Sequence, residues 1–223
     1  MTVYVVIIGL LTIFVTLLIR AELLQSQKQV YLFKPISTLL VISIVVLSFF
    51  KMNESNLLYS IWIFVALLFC LGGDIALMFK SKSAFQIGLA LFLIAHIVYS
   101  IAFLMFNGFV SQDWMVAVVL LTVAGIVYCY LYPGLGPMKI SVLLYVLVIT
   151  FMLNRAVATL FGDFFNATQA MLIAGGAALF FISDLLLAVN KFRRPFRCHR
   201  ISLAFYYSGQ LAIALSTIFF CAT

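Results

Sequence analysis

Two aspartates stand in otherwise apolar runs: Asp74 in CLGGDIALMF, residues 70–79, and Asp184 in LFFISDLLLAV, residues 179–189. An ionisable side chain inside a membrane-length segment is costly and normally faces a bundle interior or a wet cavity, which makes each a candidate for chemistry. Two neighbouring carboxylates resist ionising together, so one proton shared between them is a natural state, and such a pair holds an acid and a base at once. The competing role is structural, an interhelical hydrogen bond or a pair with a nearby lysine. Gly72, Gly73 and Ser183 beside the aspartates are small enough for another helix or a ligand to approach the backbone.

Other polar residues fall at helical spacing. His96 and Tyr99 are three apart and share a face, and Gln210 lies four and three residues after Tyr206 and Tyr207. These can line a cavity, or simply bond neighbouring helices and populate an aromatic belt. Asn154 and Arg155 read as interfacial or helix-bonding groups, and Asn190 as a residue closing a helix. In Lys34-Pro35 the proline suits a first helical position. A lysine beside the positive end of a helix calls for an anion there, and a lipid phosphate would serve, as would plain snorkelling to the interface.

The elements that must position these groups are membrane spans. The chain has 223 residues, 66% hydrophobic and 9% charged, too few polar groups to coat a water-soluble surface of that size. With about 20 apolar residues per ~30 Å of hydrocarbon, the sequence divides into eight spans, near 3–19, 35–50, 57–79, 85–106, 114–131, 140–158, 168–189 and 201–221. The expected fold is all-α and polytopic, one transmembrane domain over 1–223. The first span lacks the flanks of a cleaved signal and reads as a retained helix.

The net charge of +7 is distributed as a membrane protein distributes it rather than as a nucleic-acid binder does. Eleven of the basic residues, including Lys80, Lys139, Lys191 and Arg193, fall on alternate connectors, against Lys51 and Arg155 on the others. The positive-inside rule then makes the basic side cytoplasmic and puts both termini outside, in an inner membrane of bacterial type. Cys70, Cys129, Cys198 and Cys221 form no CxxC spacing, so neither disulfides nor a metal site are expected, and Cys198-His199 reads as an incidental pair.

A weak internal repeat runs through the chain, about 1–110 and 111–223. FKPISTLLVI at 33–42 matches PMKISVLLYV at 137–146, aligning Ser37 with Ser141, and Asp74 aligns with Asp184. Parallel repeats bring equivalent residues to equivalent depth. From Lys80 and Lys191, both carboxyls are expected ~9–10 Å inside the cytoplasmic boundary. A phosphate at the surface and a carboxyl pair below it would suit a single-chain phospholipid inserted headgroup-out from the inner leaflet.

The sequence also resembles the YhhN-type integral membrane lysoplasmalogenases, through KPISTLL (34–40), GGDIALMF (72–79), GLALFLIAHIVYSIAF (88–103), GAALFFISDLLLAVNKF (176–192) and YYSGQLAIALS (206–216). The resemblance implies eight helices and cleavage of the vinyl-ether bond of a lysoplasmalogen to a fatty aldehyde and a glycerophospho-ethanolamine or -choline. It carries the family's aspartates onto Asp74 and Asp184, its H-x-x-Y onto His96 and Tyr99, and its Y-x-x-Q onto Tyr207 and Gln210. Lys34, Ser37, Asn190 and Tyr206 join these as expected substrate contacts.

Vinyl ethers hydrolyse by protonation of the β-carbon, so a neutral carboxyl supplies the proton and an ionised one stabilises the cation and orients water. Asp184 is assigned as acid and Asp74 as base, with the reverse equally open, and no metal or cofactor is called for. The expected partners are a lysophospholipid and the bilayer, without nucleic acid; Gly175-Gly176 suits helix packing within one chain or between two. The alternative is a proton-coupled lipid or small-molecule transporter using the same aspartates. That function is expected to need helix breaks near the midplane, whereas the prolines read as lying at span ends or in loops.

Overall fold

The computed structural model describes residues 2–50, 54–195 and 200–219. Lys51, Arg197, Cys198, His199 and Cys221 lie outside them. Among the described residues the chain is helical without strands: α1 (Thr2–Leu23), α2 (Gln27–Phe49), α3 (Glu54–Leu77), α4 (Lys82–Asn107), α5 (Asp113–Leu131), α6 (Lys139–Ala158), α7 (Ala167–Phe192) and α8 (Ile201–Ser216). Two short 3₁₀ turns, Tyr132–Gly134 and Gly136–Met138, join α5 to α6. The first seven helices are long and apolar enough to cross a membrane, and α8 is a shorter apolar helix. The protein is an integral membrane protein of the expected all-α class. Apolar side chains such as Val118, Val119 and Ile126 of α5 stay exposed, as a lipid-facing surface requires.

One boundary differs in a way that matters for the site. The span expected from 35 begins at Gln27, so Pro35 lies inside α2 rather than at its first position. Nothing in QKQVYLF breaks a helix, and this segment is anchored: Val30 is buried, and Gln27 Nε2 donates to the Met78 carbonyl beyond the end of α3 (2.8 Å). Pro35 removes one backbone hydrogen bond, and α2 continues through it to Phe49. Lys34 is therefore two turns inside a helix, away from the positive end of its dipole.

Most successive helices pack on each other, most extensively α3 on α4 and α7 on α8; α4 turns instead to α6, and this contact and α2 on α8 join the halves. Helices α7 and α8 meet backbone to backbone. A Cβ on Gly176 would lie 2.8 Å from the Gly209 carbonyl oxygen, and one on Gly209 would lie 2.7 Å from that of Gly176, the close approach that small residues permit. The ends of this hairpin are tied by a capping box at Asn166 and Gln169 and by Gln169 Nε2 donating to the Ser216 carbonyl (2.9 Å).

Candidate active site

Asp74 sits in the last turn of α3 with 1% of its surface exposed. Burying a carboxylate requires a counter-charge and hydrogen bonds, and both are present. Lys34 Nζ lies 3.3 Å from Oδ1. Thr38 Oγ1 (2.6 Å) and Tyr206 Oη (2.8 Å) both donate to Oδ2. The cluster continues outward: Gln210 Nε2 donates to Tyr206 Oη (2.8 Å) and Tyr207 Oη to the Lys34 carbonyl (3.1 Å). The anion that Lys34 meets is thus Asp74, and the expectation of a lipid phosphate at Lys34 is corrected. Because α2 starts two turns earlier, the ammonium is carried inward, where it is 90% buried.

Asp184 has a different setting. It lies in mid-helix on α7, where Tyr145 Oη of α6 donates to Oδ2 and His96 Nε2 of α4 stands 3.8 Å from the same oxygen. His96 is fully buried. Its ring packs edge-on against Phe180 (4.8 Å) and Tyr145 (5.4 Å). Among the described residues Asp184 Oδ1 takes no hydrogen bond and no lysine or arginine pairs with this carboxyl.

Asp184 also borders a chamber between α4, α5, α6 and α7, whose roughly 710 Å³ includes space open to the outside. Every other lining residue except Tyr145 is apolar, from Phe92, Ile149 and Phe181 to Leu131 and Phe192. Asp74 does not line it. No hydrogen bond joins the two carboxyls among the described residues; aromatic rings link their surroundings instead. Tyr206, held by Asp74, packs on Phe92 (5.8 Å) and Phe180 (5.1 Å), and Phe180 in turn supports His96.

The other expected residues fall into the same two groups or outside them. Ser37 spends its hydroxyl on the Phe33 carbonyl (2.8 Å). Tyr99 is buried and stacked on Phe103, and Asn190 is half-buried on α7 without lining the chamber. Of the two roles expected for Asn154 and Arg155, both take the helix-bonding one: they are buried, and Asn154 Nδ2 donates to the Asp113 carbonyl (3.0 Å). Arg155 is 1% exposed and pairs with Asp113, donates to the Gly108 carbonyl (3.2 Å), and rests on the Phe109 ring (4.7 Å). It clamps the α4–α5 turn to α6. Thr38 and Tyr145 were not expected. Thr38 was findable, since it lies one turn after Lys34 on the same face, whereas nothing separates Tyr145 from the other nine tyrosines.

Fold and site together define a polytopic helical membrane protein with an apolar chamber that carries one carboxyl on its wall. The YhhN family model matches residues 29–217. The chain belongs to the YhhN family. It is 35% identical over 161 residues to the Bos taurus protein named Lysoplasmalogenase TMEM86A and 37% identical to the Homo sapiens protein of the same name. Each alignment covers 70% of this chain and 65% of the relative, so the chain spans about two thirds of the length of these relatives. No solved structure matches it.

Proposed function

We propose that this protein is a lysoplasmalogenase whose proton-transfer group is Asp184. The observation that carries the reading is the lining of the chamber: apolar side chains from α4, α5, α6 and α7 with one carboxyl on the wall. A fatty alkenyl chain fits such a lining, and its enol-ether carbon would meet Asp184. The family relation supplies the substrate class, since two relatives carry the name lysoplasmalogenase.

In the proposed reaction, neutral Asp184 gives its proton to the β-carbon of the enol ether. The π electrons form the new C–H bond and leave an oxocarbenium ion. The Asp184 carboxylate stabilises that cation and takes a proton from the water whose oxygen adds to the α-carbon, which restores the acid. The hemiacetal then breaks its bond to the glycerol oxygen as that oxygen gains the hydroxyl proton, giving aldehyde and glycerophospho-ethanolamine or -choline. Tyr145 orients Asp184 through Oδ2, leaving Oδ1 for the proton, and His96 buttresses the same oxygen.

Asp74 acts at one remove: with Lys34 and Thr38 it fixes Tyr206, and Tyr206 fixes Phe92 and Phe180. It is thus a positioning residue rather than the base of a shared pair. Positive connectors on the cytoplasmic side, with termini outside, would present the chamber to the inner leaflet.

The test is aldehyde release from a synthetic 1-alkenyl lysophospholipid by the purified protein, beside folded Asp184→Asn. Loss of about 10²–10⁴ in kcat is expected for removal of a general acid. Full activity in Asp184→Asn would remove the acid from this carboxyl, and no release by folded wild type would remove the substrate.

A further inference from the structure

With Lys34 consumed by Asp74, a lysophospholipid in the chamber needs another cation for its phosphate. The chamber's border supplies candidates. Leu131 and Phe192 line it, and just there the α5–α6 connector is pressed on the end of α7: a Cβ on Gly134 would lie 1.6 Å from the Phe192 carbonyl oxygen. That contact gathers cations from two chain segments. Lys191 Nζ lies 4.7 Å over the ring of Phe85, itself a lining residue packed on Phe192 (6.0 Å). The Arg193 guanidinium lies 5.2 Å over Tyr130, and Lys139 Nζ lies 4.1 Å over Tyr132.

Seating on ring faces orients these groups while leaving N–H donors free. Ion pairs among the described residues engage Lys34, His96, Arg155 and Arg200, none of these three, and the connector 132–138 contains no acid. A concentration of oriented, uncompensated positive charge beside the Phe85–Phe192 end of an apolar chamber fits an anionic headgroup on an apolar chain.

The spacing agrees. Asp184, Ala188 and Lys191 follow one face of α7 at i, i+4 and i+7, so Lys191 stands roughly 10 Å from Asp184 along the axis. From phosphorus through the glycerol to the ether oxygen is five bonds, roughly 6 Å end to end once the zigzag of ~1.5 Å bonds is allowed for. An ammonium–phosphate hydrogen bond adds ~2.8 Å. A phosphate held at Lys191 therefore brings the ether carbons to the carboxyl.

Resting on the hydrolase reading, we propose that Lys139, Lys191 and Arg193 form a phosphate-binding rim that holds a single-chain lipid by its headgroup phosphate, with the chain in the chamber. Since 132–138 and 193–195 carry no carboxylate to meet an ammonium, the rim reads the phosphate and treats ethanolamine and choline alike.

The test uses an analogue that the reaction cannot consume. Binding of tritiated 1-O-hexadecyl-glycero-3-phosphocholine and of phosphate-free 1-O-hexadecylglycerol to the protein in nanodiscs is compared in wild type, K139Q/K191Q/R193Q and the charge-retaining K191R/R193K. Wild type is expected to prefer the phospholipid by about tenfold or more, a preference lost in the neutralised variant and kept in the charge-retaining one. An undiminished preference in the folded neutralised variant overturns the rim. So does inorganic phosphate binding as tightly as the phospholipid, which would make it a free-anion site. Aldehyde release from the 1-alkenyl lipid is measured alongside: its absence with the preference intact refutes the hydrolase reading and leaves the rim standing.

Discussion

The division of labour between the two aspartates is testable through the Lys34–Asp74 pair. The side chains are 10% and 2% exposed, and Asp74 also accepts from Thr38 and Tyr206. Removing one member leaves the other charged and dry, which for buried pairs costs ~3–5 kcal/mol. At roughly 2–4 °C per kcal/mol for a chain of this size, Lys34→Met and Asp74→Asn should each lower Tm by roughly 6–20 °C. The double variant should recover most of this, because it leaves no charge, Asn keeps an acceptor for Thr38 and Tyr206, and Met fills apolar volume.

The same double variant decides function. If Asp74 acts by fixing Tyr206, its specific activity should fall less than about tenfold, while Asp184→Asn at unchanged Tm loses about 10²–10⁴. Thermal unfolding of the detergent-purified proteins and aldehyde release per folded molecule supply both axes. A folded double variant as inactive as Asp184→Asn would return Asp74 to the chemistry. Single variants as stable as wild type would refute the buried pair itself.

Ala188→Trp, on the face of α7 that lines the chamber, should displace the lipid chain; KM for long-chain substrate should rise at least about tenfold with little change in Tm. Arg155→Met should cost ~3–5 kcal/mol by leaving Asp113 without its guanidinium. Because that clamp lies at the opposite end of the bundle, activity per folded molecule should not change, and a selective loss of kcat would contradict this. Gly134→Ala forces a Cβ onto the Phe192 carbonyl, so it should lower Tm and weaken binding of phosphate-bearing lipid more than of alkylglycerol.

Most of the fold was legible because hydropathy and punctuation dominate in a membrane: the span edges at 57, 114, 140, 168 and 201 fall within a few residues of the helices. The failure at α2 has a physical reason. Proline was read as a start, yet a proline interior to a helix costs one hydrogen bond, which packing of the preceding turns against α3 offsets. That error displaced Lys34 and produced the surface phosphate site. The candidate residues were legible as types, because buried polar groups in apolar runs are conspicuous. Their partnerships were not: whether Asp74 or Asp184 meets a cation depends on which helix faces which, and α2 on α8 and α4 on α6 are contacts between distant segments.

The contrast between the aspartates follows from a few substitutions on what we propose is a duplicated scaffold. Each carboxyl is approached by the second helix of its own half and by the fourth helix of the other. Asp74 meets Lys34 and Thr38 of α2 and Tyr206 of α8; Asp184 meets Tyr145 of α6 and His96 of α4. The register that pairs Ser37 with Ser141 pairs Lys34 with Met138 and Thr38 with Val142, and the register that pairs the aspartates pairs His96 with Tyr206. In the first half a lysine and a threonine therefore neutralise the carboxyl and fill its surroundings. In the second, Met138 and Val142 are buried and apolar, and Val142 instead lines the chamber beside Asp184. Met138→Lys should restore the missing cation, hold Asp184 as a paired carboxylate and deny it the proton that the reaction needs. The protein should stay folded and lose aldehyde release by about 10² or more, as removal of general-acid catalysis requires; activity near wild type in folded Met138→Lys would break the equivalence of the two halves.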